Sequence, residues 1–464
     1  MSGRLLRHLW WTTAVLVACL LVTVAAQGPA PAPWLNSYRE ATSRLIAAAT
    51  ADDFAWQRLA ELTDTFGSRL SGSDSLTRAI AWSAERMKKD GLDNVRTEAV
   101  MVPHWVRGAE SAEILLPARD RIGVLGLGGS VPTPAGGIEA DVVVIGSFEE
   151  LRSRAGEVRG RMVLFNAPFV NYPDTVSYRN GGARAAGALG ATAVLVRSIG
   201  PMGMQTLHTG SVEYSPDVPP IPAAAVSVED ANRIARLTAR GQRVRVRLSL
   251  ESRTFPDAES ANVVGEIVGR ERPEEIVLLG GHLDSWDVGA GASDDAVGSI
   301  VTWEALRLMR KLGLRPRRTV RVVLFTNEEN GVRGGAAYAT AHAHEAARHV
   351  FALEADSGVF FPASLGFSGS PTSRTLMRDI LGLLTTTGIN DVVAGGGGAD
   401  IGPIAQIGGT PTMAYIGDPG KFFPLHHTAA DTVDRIPPSD VSRAAAVIAT
   451  IAYVVAEMPM ALPR

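Results

Sequence analysis

Three apolar runs in the second half of this chain each stop at acids, and that repetition restricts the fold more than any other feature. "EIVLLGGHLDS" ends in His282 and Asp284, "RTVRVVLFTNEEN" in Glu328 and Glu329, and "HVFALEAD" in Glu354 and Asp356. Short runs dominated by Val, Ile, Leu and Phe read as fully buried strands. Helical spacings such as "AVGSIVTWEALRLMRKL" lie between them, so from "ANVVGEIVG" at residue 261 the chain alternates strand with helix. That alternation predicts an α/β sheet covered on both faces. In such sheets functional groups gather beyond the carboxyl ends of the strands, so the three acidic ends are expected to converge. The first of them continues as "GGHLDSWDVGAGASDD", closing on Asp294 and Asp295, and a later segment, "KFFPLHHTAADTVD", brings His426 and His427.

Convergent carboxylates need positive charge beside them. Two unit charges about 5 Å apart repel by roughly 3 kcal/mol at an effective dielectric of about 20. No Arg or Lys stands among the acidic ends themselves, so bound divalent cations are the economical explanation. Imidazole and carboxylate ligands without thiolate suit zinc, with cobalt or manganese as substitutes.

The remaining chain sets the context for that site. With 464 residues, 46% apolar and 20% charged, there is room for two or three globular domains. A formal net charge of -3 excludes the global basic field that draws nucleic acid. Arg4 and Arg7 precede an apolar stretch and the small pair Ala25 and Ala26, the order of a secretory signal. Residues 1–26 are therefore expected to be a leader, and the mature chain, starting near Gln27, to be exported, secreted or periplasmic, with no membrane contact. An uncleaved anchor is the alternative for the same segment, because residues 9–26 approach the roughly 20 that span a bilayer. Cys19, the only cysteine, lies in that leader. Residues 27–111 carry helical periodicity, as in "DSLTRAIAWSAERMKKDGL", around the loop "GSRLSGSDS". Residues 112–250 change texture to short β-type runs such as "ADVVVIG", "GRMVLFN" and "RVRVRLSL", broken by one helical stretch, "YRNGGARAAGALG". They read as a separate β-rich module, and residues 251–464 as the α/β region.

At this level of detail the motifs resemble those of the co-catalytic zinc exopeptidases, the clan that includes bacterial aminopeptidases and glutamate carboxypeptidase II. Within it the resemblance is to the carboxypeptidase Q family, and it extends to "DTFGSRLSGS", "VPHWVRGAESA", "YRNGGARAAGALGA" and "SVEDANRIARL". It implies a mixed-sheet, aminopeptidase-like catalytic domain with a protease-associated domain inserted at 112–250. It also implies two zinc ions, one on His282 and Asp356 and the other on Glu329 and His427, with Asp294 between them. Glu328 is implied as the general base that takes a proton from the bridging water and delivers it to the leaving amine. Asp284 is expected to accept the second ring N–H of His282. Chemistry alone leaves Asp294 and Asp295 nearly equal; the family's spacing selects Asp294 and implies a cis peptide bond between the two. His427 is selected over His426 because the family's ligand directly precedes a Thr or Ser with an acid three residues on, here "HTAAD". His426 stands where several relatives place a tyrosine facing the substrate oxygen, which leaves two readings: a hydrogen-bond donor to the oxyanion, or a packing residue.

Other segments read more simply. "HAHEAARH", residues 342–349, places His344 and His349 five apart, off one helical face, and is expected to be a solvated helix. "GLGGS" at 126–130 reads as a tight turn, and the glycines of "ENGVRGGAAY" as turn formers. "AGGGGAD", residues 394–400, is matched in relatives by a loop near the pocket and is a candidate for lining it. The function expected is an exported zinc-dependent exopeptidase acting on dipeptides or short peptides, a homodimer by resemblance. An aminopeptidase of the same clan and a non-catalytic binding or receptor protein on the same fold are the alternatives.

Overall fold

The computed structural model describes residues 32–464 except Met202; the leader at 1–26 and Cys19 lie outside the described residues. An eight-stranded mixed sheet forms its centre, in the spatial order Asp93–Val106, Arg253–Ile267, Arg318–Phe325, Arg272–His282, His349–Glu354, Thr412–Ile416, Ser364–Ser368, Val392–Ala394. The middle four strands run parallel, and the strands on either side of them, Arg253–Ile267 and Ser364–Ser368, run antiparallel to them. Every residue of Arg318–Phe325 and of His349–Glu354 is buried, which is why these strands read as continuous apolar runs rather than alternating ones. One face is covered by helices Phe54–Phe66, Val297–Lys311 and Pro438–Glu457, the other by a cluster around Tyr338, Ile401 and Ile404. Pro438–Glu457 is the one helix among the described residues long and apolar enough to cross a membrane, and 83% of its most apolar window is buried inside the protein. It is a core helix here.

Parallel register lines up the acidic ends. His282 lies opposite Phe325, and Gly280 opposite Glu354, so the residues that follow each strand emerge at the same edge of the sheet.

The chain leaves the central sheet along Asp93–Val106 and returns along Arg253–Ile267, and these two strands pair antiparallel from Asp93 with Glu266 to Val106 with Arg253. A second eight-stranded sheet, built between Glu110 and Leu250, sits at the end of that ribbon. Its core strands Ile138–Ile145, Met162–Phe165, Ala193–Arg197 and Ala223–Val226 are parallel. The module is therefore α/β rather than simply β-rich. Helix Ser177–Gly187 matches the single helical stretch read from sequence, but Phe148–Ser153 and Val228–Ala239 are helices as well. Val228–Ala239 carries a readable start: Ser227 accepts the Asp230 N–H, and Glu229 and Asp230 fill the first turn.

The segment "HAHEAARH" also differs from expectation. Helix Arg333–Ala341 stops at His342 and a 3-10 turn spans Ala343–Arg348. Only His344 of its histidines is exposed, whereas His349 is fully buried. The cause is the buried Arg321 guanidinium, which donates to Glu345 and Tyr338 and draws the segment onto the sheet.

Candidate metal centre

Asp294 stands where the acidic ends meet. Its Oδ1 lies 3.3 Å from His282 Nε2 and its Oδ2 lies 3.2 Å from His427 Nε2. His282 Nε2 is also 3.3 Å from Asp356 Oδ1, and His427 Nε2 is 3.0 Å from Glu329 Oε2. Two imidazole–carboxylate pairs thus share one central carboxylate. Glu328 Oε2 is 3.9 Å from His282 Nε2, and its side chain is 20% exposed to the cleft where that of Glu329 is 3% exposed.

Local structure explains each orientation. The bond between Asp294 and Asp295 is cis. The N–H groups of Ser293 and Asp294 donate to the Asp431 carboxyl at 2.7 and 3.1 Å, so the acid of "HTAAD" fixes the loop that carries Asp294. Asp295 turns away: its oxygens accept the backbone N–H groups of His282 and Gly298, each at 3.0 Å. Asp295 still lies within reach of His282 and Asp356, but both its oxygens are occupied, whereas those of Asp294 face imidazoles. Asp284 acts through a different atom from the one expected. His282 Nδ1 is 2.9 Å from the Asp284 backbone carbonyl, while the Asp284 carboxylate is 3.8 Å away and accepts the N–H groups of Glu328 and Glu329. A carbonyl can only accept, so Nδ1 carries a proton and Nε2 is the ring nitrogen left to face the acids or an ion bound among them.

The donor set fits cations. His282 Nε2 and Asp294 Oδ2 are buried with no hydrogen-bond partner, although buried polar atoms are rarely left so. Three groups, Asp294 with His426 and His427, His282 with Asp295 and Asp356, and His282 with Asp294 and Glu329, each offer three ligand atoms within 4.8 Å of one another. Their titration is in conflict: burial pushes the Glu328 carboxyl well above its ordinary range and that of Glu329 up to about 7. Asp294 is held well below the ordinary range against the opposing effect of burial, by His426, His282 and His427 around it. Divalent charge at the centre relieves both tendencies.

The cleft over these groups has a volume of about 690 Å³ and is walled by both modules, with Trp105, Gly128, Tyr172, Arg179, Phe423 and His426 among its lining residues. His426 stacks on His427 at 3.6 Å between ring centroids, and its Nε2 is 3.4 Å from Asp294 Oδ2. The "GLGGS" stretch turns as expected, with Gly129 at φ 81°, but Gly128 also lies flat against Trp286, where a Cβ would come within 2.0 Å of the indole. Loop 394–400 is not among the residues lining the cleft. It instead supports Glu354: the N–H groups of Asp400 and Ile401 donate to the Glu354 carboxylate at 3.4 and 2.8 Å.

Sequence reasoning missed two cations. Arg69, from "GSRLSGS", is fully buried and donates to the carbonyls of Gly67, Leu283, Ala290 and Gly291, tying down the loop between His282 and Asp294. Arg179, from the second module, is 5% exposed, donates to the Thr209 carbonyl, the Tyr172 hydroxyl and Asn180 Oδ1, lies 3.3 Å from His427 Nδ1, and makes no ion pair among the described residues. Of the two, Arg69 brings positive charge near Asp284 and Asp431 from a distant segment.

Residues 262–452 match the profile of Peptidase family M28. Carboxypeptidase Q of Mus musculus is 44% identical over 410 residues, covering 88% of this chain and 87% of that protein. The chain belongs to peptidase family M28. Among solved structures, a peptidase M28 precursor from Shewanella amazonensis SB2B superposes with a TM-score of 0.88 at 33% identity, over 92% of this chain and 99% of the other. A zinc aminopeptidase from Bacillus subtilis, 20% identical, shares the fold at a TM-score of 0.66 over 88% of this chain and 95% of its own. The expectations of a mixed α/β fold and of a carboxypeptidase Q-like metallo-exopeptidase hold for this M28 chain.

Proposed function

We propose that this M28 peptidase hydrolyses dipeptides or short peptides that present a free carboxyl end, with two zinc ions as cofactors. The observation that carries the carboxyl-end preference is Arg179. Arg179 lines the cleft, is 5% exposed and has no carboxylate partner among the described residues, its nitrogens being met only by Asn180, Thr209, Tyr172 and His427, so a substrate carboxylate entering the cleft would supply the opposite charge it lacks. His282 and Asp356 would hold one ion, Glu329 and His427 the other, with Asp294 shared. Bound there, zinc supplies an acidified water and polarises the scissile carbonyl. Glu328 stands beside this set on the cleft side, and its burial favours taking up a proton, so it accepts one from water and passes it to the departing amine. His426, which lines the cleft beside Asp294, is assigned as donor to the developing oxyanion. The order of residues 1–26 supports export, and resemblance supports a homodimer; sequencing the mature N-terminus and sedimentation check these two parts.

One dipeptide offered free, amino-blocked and carboxyl-amidated to the purified mature protein, before and after chelation and zinc readdition, tests the reading. Zinc-dependent cleavage confined to forms with a free carboxylate is expected. In Arg179→Met the KM for the free form should rise about tenfold or more, an ordinary effect for losing a charge-assisted pair. Equal cleavage of the amidated form would move the chain to the aminopeptidases. No cleavage of any form with zinc bound would leave the binding-protein reading.

A further inference from the structure

The two halves of the metal centre are not supported in the same way. On the His282 side the contacts are all made within the catalytic sheet and its loops: Nδ1 faces the Asp284 carbonyl and the backbone N–H is held by Asp295. On the His427 side, contacts within the catalytic domain, the His426 ring on His427 and the Asp284 carboxylate on the Glu329 N–H, are joined by others from the second module. The Thr209 N–H donates to the His427 carbonyl at 3.0 Å, His427 Nδ1 lies 3.3 Å from the Thr209 carbonyl, and Ser211 Oγ donates to the Glu329 carbonyl at 3.0 Å. Arg179 Nη1 donates to the same Thr209 carbonyl at 3.0 Å.

His427 needs such support. Its φ of 61° is a left-handed conformation that a residue with a side chain rarely adopts, and that persists only where surrounding contacts over-determine it. The segment that supplies those contacts is itself anchored. Gly128 N–H donates to the Gly210 carbonyl at 2.9 Å, Val212 N–H to the Gly128 carbonyl at 3.0 Å, and Thr209 Oγ1 to the Gly126 carbonyl at 3.1 Å. Gly210, at φ 136°, lets the backbone pass over Arg179, since a Cβ there would lie 2.1 Å from the guanidinium carbon.

We propose that the segment His208–Ser211 of the second module is a clamp that positions the ligands of one metal, His427 and Glu329, and leaves the other metal's ligands to the catalytic sheet alone. The module is then part of the metal centre rather than a spacer or a detachable lid, and Thr209, Gly210 and Ser211 are positioning residues. This rests on the two-metal reading above. Partners that orient a metal-bound imidazole typically change metal affinity by 10- to 100-fold when removed. The clamp therefore predicts an unequal loss, confined to one of two equivalents.

The test is titration of the metal-free full chain with Co²⁺, read by calorimetry and by the visible absorption of the filled sites. Wild type should take up two equivalents. In Ser211→Ala and in Gly210→Ala one equivalent should keep its affinity within about threefold while the other weakens by about tenfold or more. The retained tight equivalent also reports that the variant is folded. Two equivalents that weaken together, that are both lost, or that are both unchanged would overturn the clamp while leaving the two-metal reading in place. Uptake of a single equivalent by the wild type would instead sink the two-metal reading, and the clamp with it.

Discussion

Glu328 and Glu329 are neighbours in sequence with divided positions. Glu329 is nearly closed off against His427, whereas Glu328 remains open to the cleft beside His282. Replacing Glu328 with Gln keeps the shape and removes the proton acceptor that the proposed mechanism requires, so on that reading kcat should fall by about 10²–10⁴-fold with metal content unchanged. Steady-state kinetics with metal analysis on the same sample checks this; lost metal would make Glu328 a ligand instead. Such residues are legible in the chain because each follows an apolar strand that no buried acid could otherwise end. Arg69 and Arg179 are not legible in that way. Arg69 acts through the carbonyls of Leu283 and Ala290, more than 200 residues away in sequence, and Arg179 through the Thr209 carbonyl and the Tyr172 hydroxyl; a carbonyl leaves no signature in residue identity. The Asp284 result has the same origin: residue type marked the position, but the working atom on His282 is its carbonyl.

Helices and strands were readable where period and length agreed, and harder to read where tertiary contacts overrode them. The four-residue strand Ala223–Val226 carries mostly alanine, which signals neither strand nor helix, and it exists because its neighbour Ala193–Arg197 pairs with it. Helix Val297–Lys311 docks so closely that a Cβ on Gly298 would stand 1.7 Å from the Ala355 carbonyl oxygen. Gly298→Ala should therefore cost about 1–3 kcal/mol or more by overpacking, measured as a shifted denaturant midpoint. The residue also donates its N–H to Asp295, so metal affinity should fall in step. The turn Ala343–Arg348 allows a pH prediction remote from the metals. Burial opposes protonation of His342, but Glu345 at 2.6 Å and Glu98 at 3.1 Å raise its pKa above the ordinary value. A raised histidine stabilises the fold fully below its unfolded pKa of about 6.5 and loses that contribution as pH climbs through its folded value. The Tm deficit of His342→Gln should accordingly be larger at pH 6 than at pH 9. A deficit independent of pH would mean that His342 contributes packing alone.

Across the whole molecule, the architecture makes one centre depend on two modules joined by an antiparallel ribbon. The change of texture near residue 112 falls beside Glu110, where the strands of the second sheet begin. Which surfaces of the two modules meet could not be read in that way, because Thr209, Ser211 and Gly128 are small residues whose contacts are mostly made by backbone atoms. Metal binding and module docking should then be linked, since ligand that binds only the docked arrangement stabilises it by RT ln(1 + [L]/Kd), about 2.7 kcal/mol at a hundredfold excess over Kd. Chelation is expected to speed amide exchange at Thr209 and Val212, whose N–H groups donate to His427 and Gly128, together with the Trp105–Thr254 end of the ribbon. Exchange in Met162–Phe165, buried in the second module's own core, should stay the same. Hydrogen exchange read by mass spectrometry separates the outcomes. Protection lost throughout residues 110–250 would make metal a global stabiliser of that module, and no change at Thr209 would mean that the modules stay docked without metal; only a loss confined to the joint fits a second module held in place by the centre it helps to build.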